Sequence, residues 1–445
     1  MTVSSIENAL THHIRQIVET HFDKNHFKVF SFVFSLITCL CAASVLIISI
    51  FTPWLIQYLN YNQFVINIIG AFIAIGMYLP LPYLGYLADV HGPVILAVLS
   101  LFMFFPGYMV ASLVVRDNLH YIYLCISYGL IGCATSCLYF SSLLTCAKVF
   151  PNHKSLSITA PVACYGLSSL LLSGLLDSVN WFYYVNGDLN LYRCFRFFAF
   201  FYFVLGVINW VSSVIVTIER DLIFEEEQIP LIEPDDIHKR DFSVFLKDHS
   251  MYLFLFAFFL IVGPLETCIT NIGSITTVID PNGRKAIPLQ VSLHAIFSTT
   301  SRILVGGSLD YLPKIGVTPV HLMIVLVLSG TLAFTLITQG SHMDLISIFL
   351  GFSYGGLFAI TPNILVSIWG IGIFGSSWGL FMLAPAAGST LFGLLYALNF
   401  DTMCKVESRF CLWKVFSALA LCTVTSAIII FFCNKVWAKR NAFKC

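Results

Sequence analysis

Three ionisable side chains fall inside long apolar stretches: Glu266, His294 and Arg302. A charge at mid-bilayer depth costs at least about 2.5–3.5 kcal/mol, so each is a candidate for function. The chemistry they could do together is anion recognition with proton exchange. The planar guanidinium of Arg302 can hold a carboxylate through two parallel hydrogen bonds. Glu266 or His294 can change protonation during a cycle. The structural alternative is that Arg302 ties down backbone carbonyls or Asp310, and that Glu266 satisfies a polar helix contact. At about 1.5 Å per helical residue, Arg302 lies roughly 12 Å and His294 roughly 24 Å from Asp310. Counted the same way from Ser250, Glu266 is also roughly 24 Å deep. The spacing therefore predicts a Glu266–His294 contact more readily than a Glu266–Arg302 contact, provided the two helices adjoin.

A second pattern occurs twice. Gly85-Tyr86-Leu87-Ala88-Asp89 is followed by Val90-His91-Gly92-Pro93, and Gly306-Gly307-Ser308-Leu309-Asp310 by Tyr311-Leu312-Pro313. Each copy ends a long apolar segment, and the two lie about half a chain apart. Glycine lets neighbouring helices approach closely, and Asp accepts hydrogen bonds from a facing helix N-terminus or a basic residue. Gly85, Asp89, Gly306 and Asp310 are thus expected to form a pair of conformational latches; the alternative is an ordinary turn cap. A half-length repeat suggests two helical bundles that move against each other. Arg302 stands one turn before Gly306, whereas Leu81 holds the matching place before Gly85, so the two halves differ in charge.

The elements that must position these residues follow from composition. The chain has 445 residues, 58% hydrophobic and only 10% charged, against about 25% charged in soluble domains. Apolar runs of about 20 residues read as transmembrane helices. Twelve are expected, at roughly 29–52, 63–87, 93–115, 120–147, 155–177 and 195–218, then 250–272, 287–309, 317–338, 343–369, 373–399 and 412–437. Barrel strands would alternate polar and apolar residues, and these runs do not, so the fold class is an all-α membrane protein. The expected organisation is a polar tail at 1–28, a six-helix bundle at 29–218, a linker at 219–249, a second six-helix bundle at 250–437 and a tail at 438–445. The stretch 219–249 carries Glu225-Glu226-Glu227 and Asp235-Asp236 and reads as a flexible cytosolic linker. Lys and Arg are more frequent on the side that holds both termini, which favours cytosolic termini. No short apolar core with a small-residue cleavage site stands at the start, so no cleaved signal peptide is expected.

Several classes are excluded or disfavoured. Net charge is zero, so nucleic acid is not an expected partner. There is no phosphate-binding Gly-Lys-Ser/Thr loop, no zinc-type Cys-x2-Cys pair, and no nucleophile triad; no cofactor, no metal and no enzymatic activity are expected. Most of the 14 cysteines sit in apolar segments, where they behave as small hydrophobes. Cys404 and Cys411 bracket the polar loop 405–410 and are disulfide candidates if that loop faces an oxidising lumen. Small residues and prolines cluster at Pro161 with Gly166, at Gly351-x3-Gly355, and at Gly375-x3-Gly379 with Pro385 and Gly388. Tight packing is the first reading of these clusters. Tyr165, Trp369 and Trp378 are candidates to line a cavity.

With twelve spans in a 6+6 layout and Gly85…Asp89 echoed by Gly306…Asp310, the chain resembles the major facilitator superfamily. The resemblance implies a solute carrier that works by alternating access, with the solute bound near mid-membrane between two bundles. In the family pattern basic residues follow the Asp; here Val90-His91-Gly92 and Tyr311-Leu312-Pro313 follow, so a thinner charge network is expected. A closer resemblance, to fungal monocarboxylate-transporter homologues, rests on Tyr139-Phe140-Ser141-Ser142-Leu143-Leu144-Thr145-Cys146, on Gly263-Pro264-Leu265-Glu266, on Tyr354-Gly355-Gly356-Leu357-Phe358, and on the Cys404/Cys411 loop. It implies a vacuolar membrane location, with the plasma membrane as alternative. Animal-type monocarboxylate carriers place an Asp one turn before the helix-eight Arg. Here Ser298 precedes Arg302, and helix one reads Cys39-Leu40-Cys41-Ala42-Ala43-Ser44, so the lactate–proton signature is absent. Glu227-Gln228-Ile229-Pro230-Leu231-Ile232 resembles an acidic dileucine sorting signal, with Glu227, Leu231 and Ile232 read by an adaptor. The expected partners are a small-molecule solute, the lipid bilayer and that adaptor, and a monomer is expected. The rival reading is a non-transporting membrane sensor or scaffold on the same fold.

Overall fold

A computed structural model describes residues 5–21, 23–61, 63–150, 154–185, 188–218, 234–279, 287–309, 311–340, 342–400 and 411–439. Over these residues the chain is almost entirely helical, with one isolated bridge between Tyr183 and Leu189. In chain order the helices are α1 (Ser5–His21), α2 (Lys24–Cys41), α3 (Ile48–Leu59), α4 (Gln63–Tyr78), α5 (Leu81–His91), α6 (Val94–Asp117), α7 (Tyr121–Val149), α8 (Lys154–Ser178) and α9 (Leu191–Ser213). They continue as α10 (Pro234–Lys247), α11 (His249–Thr270), α12 (Ile272–Ile279), α13 (Ile287–Leu309), α14 (Pro319–Thr338), α15 (Met343–Trp369), α16 (Phe374–Phe381), α17 (Leu383–Asn399) and α18 (Trp413–Lys439).

Eleven stretches among the described residues are long and apolar enough to cross a membrane. They correspond to eleven of the twelve expected spans. The other is α13, 23 residues long, whose Gln290, His294, Ser298, Thr299, Thr300, Ser301 and Arg302 lower its hydropathy. The side chains that make α13 a candidate site are thus the ones that weaken its signal as a span.

The chain forms two compact units. The first comprises Met1–Ser157, Cys164–Phe242 and Gly372–Gly379. Its core is aromatic: Phe104 and Tyr202 stack with ring centroids 4.1 Å apart, and Tyr108 and Phe198 pack beside them. Offset ring stacks of this kind add about 0.5–1.5 kcal/mol per pair beyond area burial. Tyr202 also donates its hydroxyl to the Cys41 carbonyl, 2.6 Å away, which satisfies a backbone group at the end of α2.

The stretch expected as a polar tail contains α1. Glu7, Thr11 and Val18 are buried and Ile14 is half-buried, a spacing of three to four that puts them on one face. That face packs against Val94, Val214 and Ile215, and the Leu10 carbonyl accepts from Trp210 Nε1 at 3.1 Å. Glu7 accepts a hydrogen bond from the Thr217 hydroxyl at 2.7 Å. Gly92, which follows α5 at φ +76°, leaves room for that carboxylate, since a Cβ there would lie 2.5 Å from Glu7 Oε1. Residues 234–247 of the expected flexible linker are likewise helical, as α10. Pro234 at the first helical position, followed by Asp235 and Asp236, is a helix-start pattern that explains this.

The second unit comprises Ile158–Ala163, Ser243–Ile371 and Leu380–Cys445. Glycines set its helix spacing. Gly263 of α11 and Gly388 of α17 approach so closely that a Cβ on Gly263 would lie 2.7 Å from the Gly388 Cα. A Cβ at Gly351 of α15 would lie 2.5 Å from the His294 carbonyl oxygen, and Gly355 meets the Ser298 carbonyl. The Gly-x3-Gly stripe of α15 therefore fixes where His294 and Ser298 stand on α13.

Candidate functional site

The second unit brings the three ionisable residues of the apolar segments into one polar cluster. Arg302 and His294 of α13 are 7% and 8% exposed. Glu266 of α11 is half-buried and accepts a hydrogen bond from the Tyr354 hydroxyl of α15 at 2.8 Å. The Tyr354 ring packs against His294 with centroids 5.7 Å apart and against Phe358 at 4.7 Å. Tyr354 thus touches both residues that the depth argument expected to meet. Glu266 and His294 make no hydrogen bond to each other. Glu266 is instead within Coulombic reach of Arg302. A bridging tyrosine and the reach of a long Arg side chain, neither of which follows from depth along a helix, account for the difference.

Arg302 also donates Nη1–H to the carbonyl of Val162 at 3.1 Å, and Val162 belongs to the α8 segment of the same unit. Part of the structural alternative is therefore realised: the guanidinium holds a backbone carbonyl. One turn on, Gly306 faces Thr159 of that segment, where a Cβ would lie 2.5 Å from Thr159 Cγ2. Asn363 Nδ2 of α15 donates to the Thr159 hydroxyl at 3.2 Å and to the Ala359 carbonyl at 2.8 Å.

The first unit holds the other copy of the repeat. Asp89, 9% exposed, sits near the end of α5 and receives three hydrogen bonds at the start of α16. Gly375 N–H reaches Oδ1 at 2.9 Å, and Ser376 N–H and the Ser376 hydroxyl reach Oδ2 at 2.7 and 2.8 Å. The first amides of a helix lack intrahelical partners and carry the positive end of its dipole, so a carboxylate is their natural acceptor. Glycines permit the approach. Gly85 lies against the Gly375 carbonyl, a Cβ on Gly375 would stand 2.7 Å from the Gly85 carbonyl oxygen, and one on Gly379 2.5 Å from that of Leu81. Lys148 of α7 lies within Coulombic reach of Asp89 and supplies a positive charge that the residues after Asp89 lack.

Asp310, Glu227, Leu231, Ile232 and Cys404 lie outside the described residues. Cys411 is disulfide-bonded. Trp369 donates Nε1–H to Asp248 at 3.2 Å, and Asp248 caps α11 through Ser250 N–H at 2.9 Å. Trp378 is buried, at 1% exposure. Sequence reasoning missed Ser376, Tyr354, Thr159, Lys148 and His238 as members of these sites. Ser376 was findable, since it follows Gly375 in a stripe already singled out. His238 lies in the stretch expected as a flexible cytosolic linker, where the sequence marks no site residue.

Residues 33–393 match the family described as Major Facilitator Superfamily. A protein of Wickerhamomyces anomalus named "Probable transporter MCH1" is 48% identical over 91% of this chain and 86% of its own length. The Saccharomyces cerevisiae protein of the same name is 30% identical over 96% of this chain and 97% of its own. Among solved structures, the proton:xylose symporter XylE aligns with a TM-score of 0.66 at 12% identity, covering 92% of this chain and 95% of the other. The E. coli fucose:proton symporter FucP aligns at 0.64 and 12% identity, covering 92% and 98%. At such identities these two structures speak for the fold alone. Eleven apolar spans among the described residues, a duplicated Gly-x3-Asp element and a match across most of its length are one finding: this multi-pass membrane protein belongs to the Major Facilitator Superfamily.

Proposed function

We propose that the protein is a secondary carrier that moves a small anionic solute by exposing one binding site alternately to the two sides of the membrane. The observation that carries this reading is Arg302, a guanidinium 7% exposed in a helix expected from the sequence to span the membrane, within Coulombic reach of the Glu266 carboxylate. Such a charge is expensive to keep there and is retained where it meets a ligand or a proton path. Arg302 binds the solute's carboxylate by charge-assisted hydrogen bonds. Glu266, held by Tyr354, is its counter-charge when the solute is absent and, with His294, the candidate proton acceptor. Ser298 in place of an acidic residue one turn before Arg302 argues against lactate–proton symport.

The Asp89 contact with the start of α16 supports the latch role proposed for Gly85 and Asp89. Gly306 against Thr159 supplies the close approach proposed for the second copy, with Asp310 as its acidic member. A vacuolar membrane location with cytosolic termini, a monomeric state, and Glu227, Leu231 and Ile232 as the sorting signal complete the reading. Purified protein reconstituted in liposomes and offered a panel of organic acids, amino acids and sugars is the test. Uptake of an organic acid that falls at least tenfold in both R302A and R302K supports it, and uptake that both variants leave unchanged overturns it. A C-terminal fluorescent fusion with L231A/I232A reports location and sorting in one image.

A further inference from the structure

We infer that α10 is a third limb of the Asp89 latch, with His238 as the residue that positions Ser376. This rests on the reading of Asp89 as a latch and extends it to a helix that belongs to neither copy of the repeat.

His238 is buried, with its side chain 4% exposed, and its Nε2 lies 2.9 Å from Ser376 Oγ and 3.5 Å from Asp89 Oδ2. The direction of the Ser376–His238 bond can be deduced. Ser376 has a single hydroxyl hydrogen, and it is used on Asp89 Oδ2 at 2.8 Å. Ser376 Oγ must therefore accept from the imidazole, so Nε2 carries the hydrogen. Nδ1 is buried without a hydrogen-bond partner, which is the place for a bare lone pair rather than an N–H that would need an acceptor. The neutral Nε2–H tautomer satisfies both observations. The chain of bonds then runs from His238 Nε2–H to Ser376 Oγ, and from Ser376 Oγ–H to Asp89 Oδ2. A donor on the far side of a hydroxyl polarises it and strengthens the bond it gives, so His238 reinforces the contact with the charged acceptor.

The imidazole is itself oriented. Its ring stacks on Phe242, one turn along α10, with centroids 5.6 Å apart and planes at 20°. Tyr86 from α5 meets the imidazole in a T-shaped contact, with centroids 5.3 Å apart and planes at 73°. Tyr86 lies inside the first Gly-x3-Asp copy, so α10 grips the motif by packing as well as through Ser376. Docking of α10 and closure of α5 on α16 must then favour each other by the same factor, because coupling between two binding events is reciprocal. Whatever moves the linker helix therefore changes how long the latch stays shut.

Amide hydrogen exchange of the full-length protein in lipid nanodiscs tests this without any solute. In the regime where exchange tracks the opening equilibrium, the amides of Gly375 and Ser376 report the latch and those of residues 234–247 report α10. H238A should speed exchange across 372–379 about tenfold. H238F keeps the ring and removes the donor, and should do the same. H238Q restores an amide N–H near the Nε2 position and should remain within about threefold of the parent protein. D89N should speed exchange in both segments, and D89N/H238A should be no faster than D89N alone, because the two residues act through one chain of bonds. Unchanged protection of 372–379 in H238A and H238F, or effects of H238A and D89N that simply multiply, overturns the role of His238. Unchanged protection of 372–379 in D89N overturns the latch itself, whatever His238 does.

Discussion

Around Gly85 the close neighbours are backbone atoms of Gly375 and Ser376, whereas around Gly306 the neighbour is the Thr159 side chain. Four residues after Gly85, a carboxylate takes two amides and a hydroxyl at a helix start. Four residues before Gly306, a guanidinium takes a carbonyl within a helix. The first copy therefore caps the positive end of a helix with an anion, and the second brings a cation to a carbonyl oxygen. The same glycine spacing provides close approach in both, but the charged side chain described beside the first is an anion and the one described beside the second a cation. A sequence repeat specifies where helices come together; the charged residue nearest the contact decides what they do there.

The largest expected effect lies beside the second copy. Arg302→Ala removes the solute contact in the proposed mechanism, so uptake should fall at least tenfold, and it removes the hydrogen bond to the Val162 carbonyl, a loss of about 1.5–3 kcal/mol in stability. Thermal unfolding should recover in part in the double variant R302A/E266Q while uptake does not. Recovery of both would show that Arg302 serves the fold rather than the solute. Next comes Asp89→Asn, which replaces a charged acceptor of three hydrogen bonds and should destabilise the closed latch by about 1.5–3 kcal/mol. Hydrogen exchange across 372–379 measures that loss.

The same substitution made in both copies sharpens the comparison further. Gly85→Ala forces a methyl onto backbone and should cost about 1–3 kcal/mol. Gly306→Ala meets a threonine whose side chain can turn, and should cost the lower end of that range or less. Equal shifts in unfolding temperature would erase the distinction drawn between them. The smallest effect is expected of Tyr354→Phe, about 1 kcal/mol from one lost hydrogen bond to Glu266. Its uptake should fall less than that of R302A in the same liposomes.

Much of the architecture was legible because lipid imposes one rule: backbone groups must be satisfied within a segment, so apolar runs of this length are helices. Glu266, His294 and Arg302 could be picked out as costly charges in apolar segments, since burial cost is a property of residue type and depth. Their partners were not legible. Tyr354 sits 88 positions from Glu266, and nothing in the local spacing of either residue points to the other. The α10 helix shows a different failure. A high density of charge reads as a flexible linker, whereas Pro234-Asp235-Asp236 marks a helix start and Phe242 and Phe245 give the helix an apolar side. Composition averaged over thirty residues hid a pattern that lives in three.

The burial of Glu7 has a consequence in time. Its hydrogen-bond partner Thr217 is 210 positions further on. At about 5–20 residues per second of synthesis, α1 waits roughly 10–40 s before the site it docks on exists. Through that interval α1 is an amphipathic helix whose apolar-side carboxylate has yet to meet the Thr217 hydroxyl. The contact that fixes α1 onto the first unit is therefore late in time although α1 is early in sequence.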